Sequence, residues 1–203
     1  MIISRTPFRV SLFGGGTDYP VWYRENGGAV LATTIDKYCY LTCRYLPPFF
    51  DHRSRIVWSQ IELVQEISEI SHPAVRETLD FLGIHDGVDI HHDGDLPARA
   101  GLGSSSSFII GLLHVLYALK GEMPSKRQLA EDAIQIERER LSENVGSQDQ
   151  VLAAFGGLNR IDFGGEQEFS VSPLILPRKR LRELQEHLML VFTGISRNAS
   201  EIT

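Results

Sequence analysis

The chain has 203 residues, 42% hydrophobic and 23% charged, with a formal net charge of −6. That is the balance of a globular domain, or of one domain and part of another. Its acidity argues against a nucleic-acid surface, and no apolar run is long enough to span a membrane.

In chain order, residues 2–12 read as a strand with Arg5, Pro7 and Arg9 interleaved. Gly14, Gly15 and Gly16 break it with a close-approach loop. Residues 29–45 read as one or two strands, ended by Pro47 and Pro48. Cys39 and Cys43 stand four apart in that run, too far for a disulfide, and read as reduced cysteines of a cytoplasmic protein. The opening Met-Ile-Ile-Ser-Arg is too short in its apolar run for a signal peptide. Residues 56–58 are a short strand candidate, 72–82 a helix stopped by Gly83, and 88–91 another strand. Residues 96–107 form a loop rich in Gly and Ser, and 108–119 are apolar almost all round, the mark of a buried helix. Residues 125–141 read as a second helix with Ser125 and Gln128 as a capping box. Ser147 and Gln150 offer another box, opening a short helix before Gly156. Residues 188–192 read as a strand. Strands precede helices, so the class is α+β. The chain stops soon after that strand, and a truncated protein is expected.

The most informative stretch runs from Pro97 through Gly101, Leu102 and Gly103 to Ser104, Ser105, Ser106 and Ser107. Its glycines let backbone N–H groups turn toward one point, its serines add hydroxyls, and the N-terminus of a buried helix follows. Together these suit a polyphosphate. It is neither a Walker A loop, lacking Gly-Lys-Ser/Thr, nor a dinucleotide fingerprint. The plain alternative is a Gly/Ser connector capping a helix.

Two carboxylates stand out. Ala130, Ile134, Glu137 and Leu141 share one helical stripe, so Glu137 falls on an apolar face where an unpaired charge is costly. A metal, or pairing with Arg138 or Arg140, would resolve that. Asp149 sits near a helix start, where an acid is also simply stabilising. His91, His92 and Asp93 suggest a metal, but strand neighbours face opposite ways and no ligand spacing is met. The basic run Arg178-Lys179-Arg180 reads as a solvated helix start. Trp22, Tyr23 and Trp58 read as core residues, with Trp58 a candidate for the neighbourhood of an adenine.

The serine loop resembles the second motif of the galactokinase, homoserine kinase, mevalonate kinase and phosphomevalonate kinase superfamily, the GHMP kinases. The run from Arg5 through Pro7, Arg9 and Gly14 resembles that family's opening strand. Gly14-Gly15-Gly16-Thr17-Asp18-Tyr19 is similar to the galactokinase signature Gly-Glu-His-Thr-Asp-Tyr, with glycines replacing two sugar-contacting side chains. The triple-glycine form resembles the bacterial heptose 7-phosphate kinases. So do the run from Glu143 to Gln150 and the late Phe192-Thr193-Gly194-Ile195-Ser196-Arg197.

The resemblance implies a GHMP N-terminal domain, a mixed sheet with buried helices, over residues 1–184. Residues 185–203 would begin a second α+β domain, and the family's third, C-terminal motif is missing. It implies a cytoplasmic, ATP-dependent sugar kinase acting on the anomeric hydroxyl, with D-glycero-D-manno-heptose 7-phosphate as leading substrate. A galactose- or fucose-type 1-kinase is the alternative, and a non-catalytic sensor of sugar and nucleotide the second. Pro97, Gly101, Leu102, Gly103, Ser104, Ser105 and Ser106 would hold ATP, Ser105 and Glu137 would bind Mg2+, and Gly15, Gly16, Thr17 and Asp18 would bind the sugar. Asp149 would be the base and Arg9 its neighbour at the reacting hydroxyl.

Overall fold

A computed structural model describes residues 1–97 and 100–191. Among these residues seven strands form one mixed sheet in the order β4-β3-β5-β2-β6-β7, with β1 paired to β2. In chain order the elements are β1 (Ile2–Phe13), α1 (Pro20–Asn26), β2 (Gly28–Tyr45), β3 (Ser54–Val57), β4 (Ile61–Val64), α2 (Pro73–Phe81) and β5 (Val88–Gly94). There follow α3 (Ser104–Leu119), α4 (Lys126–Gln135), a π-helical turn (Ile136–Arg140), α5 (Gln148–Phe155), β6 (Leu158–Phe163), β7 (Phe169–Pro173) and α6 (Arg178–Glu186). The α+β class is as expected, and β3 running parallel to β5 makes the sheet mixed.

The 18-residue β2 is the spine. Along one side it pairs with β1. On the other its first half, from Gly28 to Thr33, takes β6 and its second half, from Cys39 to Tyr45, takes β5. The side-chain alternation slips between these halves. Val30 and Ala32 are buried in the first, Cys39, Leu41 and Cys43 in the second. A one-residue slip swaps faces, and it coincides with a register shift between Pro7 and Arg9 in β1. Pro7 has no N–H for the ladder, so a bulge belongs there. Bulges re-aim side chains, and the one that follows is Arg9.

α3 and α5 pack on β1 and β2, and α2 and α4 pack against α3. α3 is buried on nearly every side, with Ile109, Leu112, Leu113 and Leu116 wholly inaccessible against Leu41, Leu79 and Ile90. Its first turn docks into the β1 bulge, where Ser107 Oγ donates to Pro7 O at 3.0 Å. The serine run is therefore the start of this helix, not the end of a loop, because Gly103 takes the left-handed conformation (φ +70°) and caps it.

Both expected capping boxes need correcting. Ser125 Oγ accepts from Gln128 N, but the Gln128 side chain donates to Asp132. Ser147 makes no side-chain cap to α5, and Gln150 reaches Glu137 instead. The strand expected at 188–192 is absent over 188–191, which are exposed and join no sheet; an apolar run becomes a strand only where a sheet edge receives it. Phe192 and the motif ending at Arg197 lie outside the described residues, as do Ala98 and Arg99. Both cysteines are buried free thiols whose pKa burial pushes up to about 12. Among the described residues no helix is long and apolar enough to cross a membrane.

Candidate active site

The bulge aims Arg9 at two things. Its guanidinium grips Asp149 as a fork, Nε to Oδ1 and Nη2 to Oδ2, both at 2.6 Å. Nη1 donates to Gly101 O at 2.8 Å, and its backbone N–H donates to Leu102 O at 3.1 Å. A bidentate pair of this kind combines charge with fixed geometry. Arg9 thus ties the opening strand, the Gly/Ser loop and α5 together, and its own exposure is only 13%. Gly103 lies against the pair: an added Cβ there would sit 3.1 Å from Arg9 Cγ and 3.3 Å from Asp149 Oδ2.

A second cluster lies at the same helix start. Glu137, on the π-helical turn, is wholly buried. Ser106 Oγ donates to both its carboxylate oxygens at 3.0 and 3.1 Å, Ser105 Oγ to Oε1 at 3.4 Å, and Gln150 Nε2 to Oε2. Arg138 and Arg140, the alternative partners, are turned away, to Ser147 and to Asp80. Burial pushes the Glu137 carboxyl up to about 8. Nearby Glu143 and Asp149 add to the rise, and Gln150 and Ser106 oppose it. One carboxylate with two hydroxyls is an all-oxygen donor set, which suits a hard cation such as Mg2+. Single π turns recur at functional sites.

The remaining residues expected in the site fall around these clusters. Thr17 Oγ1 donates to Gly14 O at 2.8 Å and accepts from Ala29 N, fixing the glycine loop. Gly15 faces Gln148, whose Nε2 lies 3.6 Å from where a Cβ would be, and Gly16 opens on free space. Asp18 is 1% exposed, its carboxylate turned inward. Leu102 packs on the main core, Ser104 opens α3, and Pro97 lies exposed ahead of the loop.

His91, His92 and Asp93 do not converge. His91 bonds Asp89, which Arg55 and Arg44 also hold, depressing that carboxyl to about 2 despite its burial. His92 stands edge-on to Phe108. Among the described residues no cluster of three His, Cys, Asp or Glu fits a metal. Tyr23 is core at 2% exposure, whereas Trp22 is half exposed. Trp58 donates to Glu62 and meets His72 edge-on. The sequence reading gave Gln150 to a capping box and Arg138 to Glu137, whereas Gln150 reaches Glu137 and Arg138 reaches Ser147; the one signal for Gln150's place in the site was its position beside Asp149.

Residues 62–157, which hold the loop, Glu137 and Asp149, match the family model described as the GHMP kinases N terminal domain. This segment, just under half of the chain, is similar to a GHMP kinase N-terminal domain. Over 210 residues it is 29% identical to a D-glycero-alpha-D-manno-heptose 7-phosphate kinase of Campylobacter jejuni, covering 99% of this chain and 62% of that protein. It is also 29% identical to a galactokinase of Pyrococcus furiosus, covering 97% of this chain and 54% of that protein. A solved D-glycero-D-manno-heptose 1-phosphate kinase from Bacteroides thetaiotaomicron superposes with TM-score 0.83 at 26% identity, covering 91% of this chain and 63% of that one. The chain therefore spans less than two thirds of these relatives' lengths. The serine loop, Glu137 and Asp149 all lie within the matched segment.

Proposed function

We propose that this chain is the nucleotide-binding part of an ATP-dependent sugar kinase. In this reading it transfers the γ-phosphoryl group to the anomeric hydroxyl of D-glycero-D-manno-heptose 7-phosphate. One observation carries the reading: two acids with different surroundings, Asp149 forked by Arg9 and Glu137 under the serines, meet at one helix start. The loop's N–H groups and the α3 dipole receive the polyphosphate. Ser105 and Glu137 hold Mg2+, which when bound neutralises charge on the phosphates. Arg9 places positive charge where negative charge develops. Asp149 orients the attacking hydroxyl and receives its proton, while Gly15, Gly16 and Thr17 leave room for the sugar.

The heptose phosphate is favoured over galactose because Gly15 and Gly16 put no side chain where the galactokinase signature has two, and because heptose phosphate kinases are among the relatives. Residues 1–184 are assigned to this domain and the rest to the start of a second. The buried free thiols and the acidic surface suit a cytoplasmic enzyme with a small-molecule partner. The test is ATP consumption by the purified chain with Mg2+, across heptose 7-phosphate, galactose, fucose and no sugar. Sugar-stimulated turnover greatest with heptose 7-phosphate is expected. Turnover that no sugar stimulates, with ATP still bound, favours the sensor and overturns the reading.

A further inference from the structure

Asp18 is the one charged side chain of the glycine loop, and it does not face open space. Its carboxylate is 1% exposed. Oδ1 accepts from Gly16 N at 3.0 Å, and Oδ2 accepts from Gln148 N at 3.1 Å, 130 residues away. The Asp18 carbonyl accepts from Ser147 N, also at 3.1 Å. Gln148 is the first residue of α5, and the helix's own N-cap, Ser147, does not cap it because its hydroxyl accepts from Arg138. The first N–H groups of a helix need an acceptor, and a negative charge beside them is favourable. Asp18 supplies both from across the fold.

The fit leaves nothing to spare. A Cβ at Gly146 would lie 1.9 Å from Asp18 Oδ2 and 2.6 Å from its Cγ, and no atom outside Asp18 is among its three nearest neighbours. A glycine stands at 146 so that the chain can pass directly over the carboxylate. The element held this way carries Asp149 and Gln150 as consecutive residues, one gripping Arg9 and the other Glu137.

We infer that Asp18 is a positioning residue: it caps α5 from the glycine loop and thereby sets where Asp149 and Gln150 stand, and it does not contact the acceptor. The inference rests on the kinase reading only for its kinetic consequence.

Hydrogen exchange of the α5 amides, in the unliganded chain, tests the cap without any turnover. Asp18→Ala and Gly146→Ala should each speed exchange over residues 148–152 by about tenfold. Asp18→Asn keeps one capping oxygen and the side-chain shape, so it should fall between them and wild type. Unchanged α5 exchange in all three variants would overturn the cap. Kinetics then separate positioning from contact. Gly146→Ala should lower kcat by about tenfold or more while KM for the acceptor sugar stays within about twofold, and Asp18→Asn should move the same parameter less. A raised sugar KM in the Asp18 variants, with Gly146→Ala behaving as wild type, means direct contact and sinks the inference. If wild type phosphorylates no sugar, the kinase reading fails, yet the exchange result still decides Asp18.

Discussion

Replacing Glu137 with Gln should have two opposite effects, and their sizes follow from its burial. Its carboxyl is pushed from the ordinary 4.5 up to about 8. Between those values the native state binds a proton that the unfolded chain does not, so stability falls as pH rises. The group's contribution is complete below about pH 4.5 and is lost as pH climbs to about 8. At about 1.4 kcal/mol per pH unit, that interval is worth roughly 5 kcal/mol, a large share of a domain's typical net stability. Gln keeps the shape without the ionisation. Gln150 Oε1 has no partner among the described residues, so turning over its amide offers the new side chain an acceptor. Urea unfolding with EDTA from pH 5 to pH 8.5 should therefore show wild type losing several kcal/mol relative to Glu137→Gln. The second effect is on the cation. Mn2+ bound with a non-hydrolysable ATP analogue should bind wild type more tightly as pH rises, since the ligand must shed its proton, and should bind the variant weakly at every pH. Parallel unfolding profiles for the two proteins, or equal Mn2+ affinity, would refute the reasoning.

Gly103→Val forces a branched side chain into the left-handed region and against the Arg9–Asp149 pair. Nucleotide affinity should fall at least about tenfold with the circular dichroism unchanged, and an unaltered affinity in a folded protein removes the loop from the site. Asp149→Asn keeps the shape and removes the charge; ATP binding should persist while phosphorylation slows by roughly a hundredfold. A rate within a few-fold of wild type would leave Asp149 as an acid that merely favours a helix start. Ser105 is exposed and Ser106 buried, though both reach Glu137. Ser105→Ala should weaken Mn2+ binding with little change in stability, whereas Ser106→Ala should cost about 1 kcal/mol in urea unfolding; the reverse pattern exchanges their roles.

What the sequence makes legible here depends on whether a residue's fate is decided nearby. The buried character of α3 shows in its unbroken apolar run, and the anion-binding loop in its glycines and serines, because both are local. Even so, the serines belong to the helix, since Gly103 alone decides where it starts. Other elements were hidden because an inward position is polar or the element is too short. β6 lacks clean alternation because Asn159 points inward, at 2% exposure, to donate to Gly156 O. α1 has seven residues, too few for a period, and β4 is an edge strand whose inward Glu62 serves Trp58, Ser71 and His72.

The site shows the same division more sharply. Glu137's burial follows from its stripe, yet the stripe cannot say that the backbone widens into a π turn or that the neighbouring arginines leave. That outcome depends on Gln150 and Ser106 arriving from elsewhere. Gln150 was misread by a local rule: its spacing from Ser147 fits a capping box, but the helix is capped from residue 18. Once that long-range carboxylate takes the capping task, Ser147 is free to receive Arg138 and Gln150 is free to reach Glu137. Asp149 and Gln150 then point from one turn of α5 to the two halves of the site. Adjacent residues acquire separate chemistry because a distant acid holds the helix that bears them.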